Sequence, residues 1–300
     1  MDSYKFVLVD VFTEQPLAGN QLAVVLNARG LADSKMQAIA REFNYSETTF
    51  ILPSRQAKAA WRLRSFSPSA EVFGAGHNAL GAWWVLAARG IIGLSDPFTT
   101  LWQELGGKVL PVGIYSEAGK PLRVAMTQSE PHFGDKLTDR TELACALGLD
   151  SSDLEVDGLE PQAVSTGAMH LLVPVRSLSA LERVRVDAHA LITLARPLGC
   201  EGCYLFCLET HEQGAAVRAR AFFPGIGISE DPATGSAAGP LGAYLASRNL
   251  IAEGVWAVIE QGVEMERPSR IEVRVQGEQV EVAGRSVIVA EGTLHLSDSR

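Results

Sequence analysis

The strongest constraint on this chain is that it repeats itself. Trp61-Arg62-Leu63-Arg64-Ser65-Phe66-Ser67-Pro68 lines up with Val217-Arg218-Ala219-Arg220-Ala221-Phe222-Phe223-Pro224, with both arginines, the phenylalanine and the proline in register. Shortly after each copy a glycine opens an apolar segment, and Gly76 through Ile92 lies without gaps on Gly235 through Ile251. Two linked matches in the same order point to two homologous halves. Ala79–Ala88 is apolar nearly all round, so a helix there is wrapped by protein on every side. Gly90 and Asn249, each directly after an arginine, suit left-handed caps that end such helices.

Between these landmarks the chain reads as many short strands and few helices. Lys5–Val11, Gln21–Leu26, Thr48–Leu52, Ala59–Phe66, Val109–Tyr115, Leu122–Thr127, Ala168–Val175, Cys203–Leu208 and Ala216–Phe222 are β-branched or alternating. One amphipathic helix carries Met36, Ile39, Ala40 and Phe43 on a stripe, with Ser34 as expected cap and Gln37 reaching back. The tail is strand after strand, punctuated at Gly277 and Gly284. This order predicts an α+β protein, not the βαβ alternation of a nucleotide-binding sheet. Neither G-x-G-x-x-G nor a P-loop is present.

The length of 300 residues fits two domains, and 47% apolar residues suffice for a core. A net charge of −9 with no basic run argues against nucleic acid and anionic membranes as partners. The start shows no charged segment followed by an apolar one, and Val72–Ala88 is too short and too polar to span a bilayer. The expectation is a soluble, cytoplasmic protein. Four cysteines do not suggest a disulfide framework. Cys200 and Cys203 have metal-like spacing, but Cys145 is distant and Cys203–Leu208 reads as a buried strand, so packing is expected and no metal.

Each half offers a glycine at the opening of a buried helix, Gly76 and Gly235. Free N–H groups and the helix dipole make such a place an anion site, although glycine there also serves tight helix–strand packing. The titratable residues nearby are Glu71, His77, Glu230 and Asp231. Glu47, between the amphipathic helix and a strand expected to be buried, is a further candidate. A carboxylate drawn into a cleft has a raised proton affinity suited to general acid–base work. The alternative is that Ser46 caps and Glu47 is a solvent-facing turn residue. His170 precedes a strand and is expected to be structural, as are Trp83 and Trp84 in the buried helix.

Several runs together resemble the phenazine-biosynthesis PhzF family, which shares the fold of diaminopimelate epimerase. They are Asp10-Val11-Phe12 with Pro16-Leu17-Ala18-Gly19-Asn20, Ser46-Glu47-Thr48-Thr49-Phe50, Ala75-Gly76-His77, the run from Glu230 to Leu241, and Gln261-Gly262-Val263-Glu264-Met265 with Arg267-Pro268-Ser269. The resemblance implies two pseudo-symmetric domains, each a β-barrel-like shell around a central helix, with the active site in the cleft between. The expected division is 1–118 plus 285–300 against 119–284. It also implies a homodimer, a small-molecule carboxylate substrate and no cofactor. The family's catalytic residues fall on Glu47, His77 and Asp231, and its substrate-holding residues on Ser46, Gly76, Gly235 and Ser236.

The resemblance also bears on the reaction. Diaminopimelate epimerase carries a cysteine at the start of each central helix, positions that look like Ala75 and Ala233 here. Without two thiols a two-base racemisation is not supported, and one carboxyl remains to take a proton and return it elsewhere. In the family this isomerises trans-2,3-dihydro-3-hydroxyanthranilate, with Glu47 moving the proton from C3 to C1. The alternatives are an amino-acid racemase or epimerase, or a non-catalytic member that binds a small carboxylate or a partner. Members usually read Pro-Phe-Ala-Gly-His-Pro where this chain has Phe73-Gly74-Ala75-Gly76-His77-Asn78, so the resemblance does not fix the substrate.

Overall fold

The computed structural model describes residues 2–74 and 76–296. The chain divides into two compact units, Met1–Met126 with Ala283–Arg300, and Thr127–Val282. The expected boundaries were 118 and 284. The first lies later because Lys120–Thr127 forms a strand that pairs with Lys108–Glu117 and stays with the first unit.

In the first unit, β1 (Asp2–Val11), β2 (Asn20–Val25), α1 (Asp33–Phe43), β3 (Glu47–Pro53), β4 (Trp61–Phe66), β5 (Glu71–Val72), α2 (His77–Ala88), β6 (Phe98–Leu105), β7 (Lys108–Glu117) and β8 (Lys120–Thr127) follow in order. β1 pairs antiparallel with β2, β2 parallel with β3, and β3 antiparallel with β4. β4 then pairs antiparallel with β5 and parallel with β6.

The second unit contains β9 (His132–Lys136), α3 (Arg140–Leu147), β10 (Gln162–Ser165), β11 (Met169–Pro174), α4 (Leu178–Arg183), α5 (Ala188–Ala195), β12 (Cys203–Cys207), β13 (Val217–Phe223), β14 (Ile228–Asp231), α6 (Gly235–Ala246), β15 (Ala257–Gln261), β16 (Ser269–Gln276) and β17 (Gln279–Gly284). β10 to β15 repeat the pairing pattern of β1 to β6, antiparallel and parallel steps alike. β18 (Ser286–Leu296) belongs to the first unit and pairs antiparallel with β1, as β9 pairs antiparallel with β10.

The repeat extends to side chains. Arg64 forms a fork on both carboxylate oxygens of Glu71, at 2.6 and 2.7 Å, and Arg220 does the same to Glu230 at 2.8 and 2.9 Å. Arg62 lies opposite Glu104 across β4 and β6, and Arg218 opposite Glu260 across β13 and β15. Glu104 accepts hydrogen bonds from the Ser54 hydroxyl and the Arg55 N–H, and Glu260 accepts from the N–H groups of His211 and Glu212. Glu71 and Glu230, weighed above as titratable candidates, are thus committed to ion pairs that tie strand to strand.

Both central helices are sheathed by strands. On α2 all residues but Trp84 and Ala88 are buried, as expected for a helix with no polar face. A Cβ on Gly81 would stand 2.6 Å from Leu22 and 2.7 Å from Val11, so the strands press directly on the helix backbone. Gly90 and Asn249 adopt the left-handed conformation after the two helices, with φ of 62° and 57°. α1 differs from expectation at its start. It begins at Asp33 after Ala32, and Ser34 lies inside it. Gln37 does not reach back to a cap; its Nε2 donates to the carbonyls of Ser67 and Pro68 and ties α1 to the loop after β4. Met36, Ile39 and Ala40 pack on Val25, Phe50 and Phe66, so the apolar stripe sits where it was expected.

Candidate functional site

The candidate residues fall into two half-sites, one at the helix opening of each unit. In the first, Glu47 is the first residue of β3 and His77 the first of α2. Ser46 does not cap a helix. Its hydroxyl donates to Asn20 Oδ1 at 3.2 Å and lies 3.4 Å from His77 Nε2, so three elements meet at one hydroxyl. Asn20 is buried at the start of β2; it stands inside a quoted motif but was not picked out as a site residue. Glu47 is half-buried, and its Oε2 is out of solvent, which does not fit a solvent-facing turn. Burial lowers the His77 imidazole to about 4, so the ring is neutral at physiological pH.

Gly76 does not present a free N–H. Its N–H donates to Asn78 Oδ1 at 2.7 Å, and the same oxygen accepts from the Ala79 N–H at 2.8 Å. Asn78 Nδ2 donates in turn to the Gly74 carbonyl at 3.0 Å. Among the described residues, the N–H groups left without an acceptor at this helix opening are those of His77 and Asn78, one residue further in than the sequence suggested. Ala75, one of the two positions compared with the epimerase cysteines, lies outside the described residues.

In the second half-site Asp231 ends β14 and is 8% exposed. Its Oδ2 accepts a 2.5 Å hydrogen bond from the Thr234 hydroxyl. Gln261, fully buried at the end of β15, organises the turn into α6. Its Oε1 accepts from the Thr234 N–H at 3.0 Å and the Tyr204 hydroxyl at 2.8 Å, and its Nε2 donates to the Asp231 carbonyl and the Thr234 hydroxyl. Burial, with the Asp231 charge, raises the Tyr204 phenol well above its ordinary range, so it stays protonated as a donor. The N–H groups of Gly235 and Ser236 have no acceptor among the described residues. The Gly235 carbonyl receives Gln128 Nε2 at 3.0 Å. Gln261, Thr234, Tyr204 and Gln128 were missed as site residues, although Gln261 and Thr234 stand inside the quoted motifs.

The residue that opens α6 is Thr234, not Ala233. The register set by the Glu71 and Glu230 pairs aligns Thr234 with Ala75, and Ala233 is wholly buried. None of the three is a cysteine.

The two half-sites are not copies in their acids. Thr48 lies opposite Phe66 across β3 and β4, and Cys203 opposite Phe222 across β12 and β13. The residue before each is Glu47 in one unit and Gly202 in the other. A Cβ on Gly202 would stand 1.9 Å from the Phe222 carbonyl oxygen, so no side chain can occupy the place that Glu47 takes. Conversely, Asp231 aligns with Val72. Each unit therefore offers one acid, from a different position of the repeat.

His170 is buried in β11 against the Phe223 ring, lowered by burial to about 4, and its Nε2 has no hydrogen-bond partner among the described residues. Cys203 and Cys207 are buried in β12, and burial pushes the Cys200 thiol up to about 12. Among the described residues no group of His, Cys, Asp and Glu is placed to hold a metal ion, and no helix is long and apolar enough to cross a membrane.

Comparison with known proteins agrees with this architecture. The profile of the PhzC–PhzF family, described as phenazine biosynthesis-like protein, matches residues 9–292. An uncharacterized isomerase of Clostridium acetobutylicum is 32% identical over 98% of this chain and 99% of its own length. The trans-2,3-dihydro-3-hydroxyanthranilate isomerase of Pseudomonas aeruginosa is 34% identical over 98% of this chain and all of its own. The crystal structure of a PhzF-family phenazine biosynthesis protein from Bacillus anthracis superposes with a TM-score of 0.87 at 30% identity, covering 99% of this chain and 100% of that one. With an α+β fold built of two repeated units and a match along nearly its whole length, the chain belongs to the PhzC–PhzF family.

Proposed function

We propose that the protein is a cofactor-independent isomerase that moves one proton within a small cyclic amino or hydroxy acid. Trans-2,3-dihydro-3-hydroxyanthranilate, the substrate in the name of its Pseudomonas aeruginosa relative, is the type case. Glu47 takes the proton from one ring carbon as general base. The electron pair left behind shifts along the adjacent double bond, and the resulting glutamic acid returns the proton to the far carbon. Nothing is gained or lost overall, so no redox partner is needed. Neutral His77 and Asp231 hold the polar substituents of the ring. The N–H groups of Gly235 and Ser236, at the positive end of α6, receive the carboxylate.

One observation carries the choice of mechanism: the equivalent of Glu47 in the second unit is Gly202, which cannot bear a side chain. A racemase needs a base on each face of the carbon; the acids of the two units do not come from matched positions, and the matched helix-opening positions, Ala75 and Thr234, hold no thiol. A single carboxyl that removes and returns a proton suits isomerisation instead.

The test is turnover of the dihydro-hydroxyanthranilate in D₂O. A carboxyl that returns the proton it took, before exchange, gives product with well under one deuterium at the new C–H. One full deuterium per turnover contradicts return of the abstracted proton before exchange and leaves Glu47→Gln as the test of the base itself.

A further inference from the structure

We infer that Asn78 is a positioning residue for His77, tying Gly74 and Gly76 to the start of α2 as Gln261 clamps the turn into α6; the inference rests on the isomerase reading for its activity arm only. The two residues use the same device. A carboxamide oxygen accepts a backbone N–H of the turn, from Gly76 in one unit and Thr234 in the other. The amide nitrogen donates to a turn carbonyl, of Gly74 in one unit and Asp231 in the other. Asn78 and Gln261 are 1% and 0% exposed.

The positions of the two clamps are exchanged within the repeat. Gln261 lies opposite Ala219 across β13 and β15, and Leu105 opposite Leu63 across β4 and β6, so Leu105 is the counterpart of Gln261. It is an apolar core residue and cannot clamp anything. The counterpart of Asn78 is Ala237, equally apolar and buried. In each unit a carboxamide thus holds both an N–H and a carbonyl of the turn, supplied by the last residue of β15 in one and by the first turn of α2 in the other.

The first turn needs this support. It contains two glycines, and a Cβ on Gly74 would meet nothing within 4 Å, so no neighbour packs against that side of Gly74. Glycine loses more backbone freedom on ordering than any other residue, so an unclamped turn samples many conformations. His77 follows directly, and its contact with the Ser46 hydroxyl depends on where this turn delivers it. In the family pattern a proline stands at this position and stiffens the chain by its ring; here three hydrogen bonds from one buried side chain do that work. They also take the Gly76 N–H out of reach of a substrate and leave the Asn78 N–H, which a proline lacks, in its place.

Asn78→Leu keeps the branching and number of heavy atoms and removes all three hydrogen bonds, whereas Asn78→Asp keeps the oxygen that accepts from Gly76 and Ala79. In the wild type, the Gly76 amide should be protected from hydrogen exchange and the His77 ring should give a single sharp imidazole signal. Asn78→Leu should expose the Gly76 amide and shift or broaden the His77 signal. Asn78→Asp should retain the Gly76 protection. With the dihydro-hydroxyanthranilate, kcat should fall about 10²-fold in Asn78→Leu, the scale expected for a group misplaced by an ångström, with a smaller change in KM, and Asn78→Asp should recover most of it. Unchanged His77 signals and Gly76 protection in folded Asn78→Leu overturn the inference, as do equal losses of kcat in the two variants. If Asn78→Leu does not fold, loss of Gly76 protection in folded Asn78→Asp overturns it. The NMR arm stands even if Glu47 proves not to be the base.

Discussion

Gln261 holds the Thr234 backbone and hydroxyl at once, with Oε1 3.0 Å from the amide nitrogen and Nε2 3.0 Å from the hydroxyl oxygen. Through that grip it places the hydroxyl that reaches Asp231. Replacing it by leucine takes the side-chain acceptor from the Thr234 N–H and the Tyr204 hydroxyl in a dry interior. A buried polar group left unsatisfied costs about 1–3 kcal/mol. Gln261→Leu should therefore lower stability by about 3 kcal/mol or more, read from urea unfolding. A loss under 1 kcal/mol contradicts the network.

The two arginine forks differ in what remains when the acid is removed. Arg220 is 6% exposed and, among the described residues, would keep the Leu181 carbonyl at 2.8 Å and the Phe222 ring, neither of them charged. Arg64 would keep Asp33, whose carboxylate lies 2.5 Å away on the surface and is itself held below its ordinary range by Arg64. Breaking a buried ion pair from one side costs about 3–5 kcal/mol, and an exposed one under about 1. Glu230→Ala should destabilise by about 3 kcal/mol, and Glu71→Ala by about half of that. Thermal unfolding of the two variants side by side gives the order; the reverse order is incompatible with it.

Acid should destabilise the protein through its buried imidazoles. Burial lowers His77 and His170 to about 4 from 6.5, so between those values the unfolded chain binds protons that the folded one refuses. Stability is complete above about pH 6.5 and is lost as pH falls toward 4. The loss reaches about 3 kcal/mol for each ring. Urea midpoints at pH 7.5 and pH 5 measure it, and His170→Gln should remove roughly half. Midpoints that do not fall between these two pH values contradict neutral burial.

Among the four cysteines, Cys145 is exposed and the other three are buried. Burial raises the thiols of Cys200, Cys203 and Cys207, which suppresses the reactive thiolate. Iodoacetamide at neutral pH should modify Cys145 alone, as intact-mass measurement would show, and turnover should be unchanged. Rapid modification of Cys203 would mean that β12 is open to solvent.

The repeat was legible in the sequence because its Arg-x-Arg strand does structural work in both units. Each second arginine must find its glutamate, Glu71 or Glu230, and that demand preserves spacing. Glu47, His77 and Asp231 could be picked out as titratable candidates by their place near the helix openings, but their proposed roles came through motif resemblance, since nothing in local spacing says that β3 starts beside α2. The supporting groups were harder to see. Gln261 acts on Thr234 from 27 positions away, and Asn78 reads locally as a lost proline, not as a clamp. Comparing the repeat position by position, Leu105 with Gln261 and Ala237 with Asn78, would have exposed both. The Ser34 cap failed because Gln37 found better acceptors in the loop after β4, a tertiary choice that no local pattern records.

The central claim is that Glu47 is the proton-transferring group. Glu47→Gln keeps the shape of the side chain and cannot accept a proton. On the dihydro-hydroxyanthranilate, or any substrate the wild type isomerises, its kcat should fall by at least about 10²-fold, the usual worth of a general base. KM should change little, because the proposed carboxylate donors, the N–H groups of Gly235 and Ser236, are left intact. A folded Glu47→Gln that turns over at the wild-type rate would contradict the mechanism.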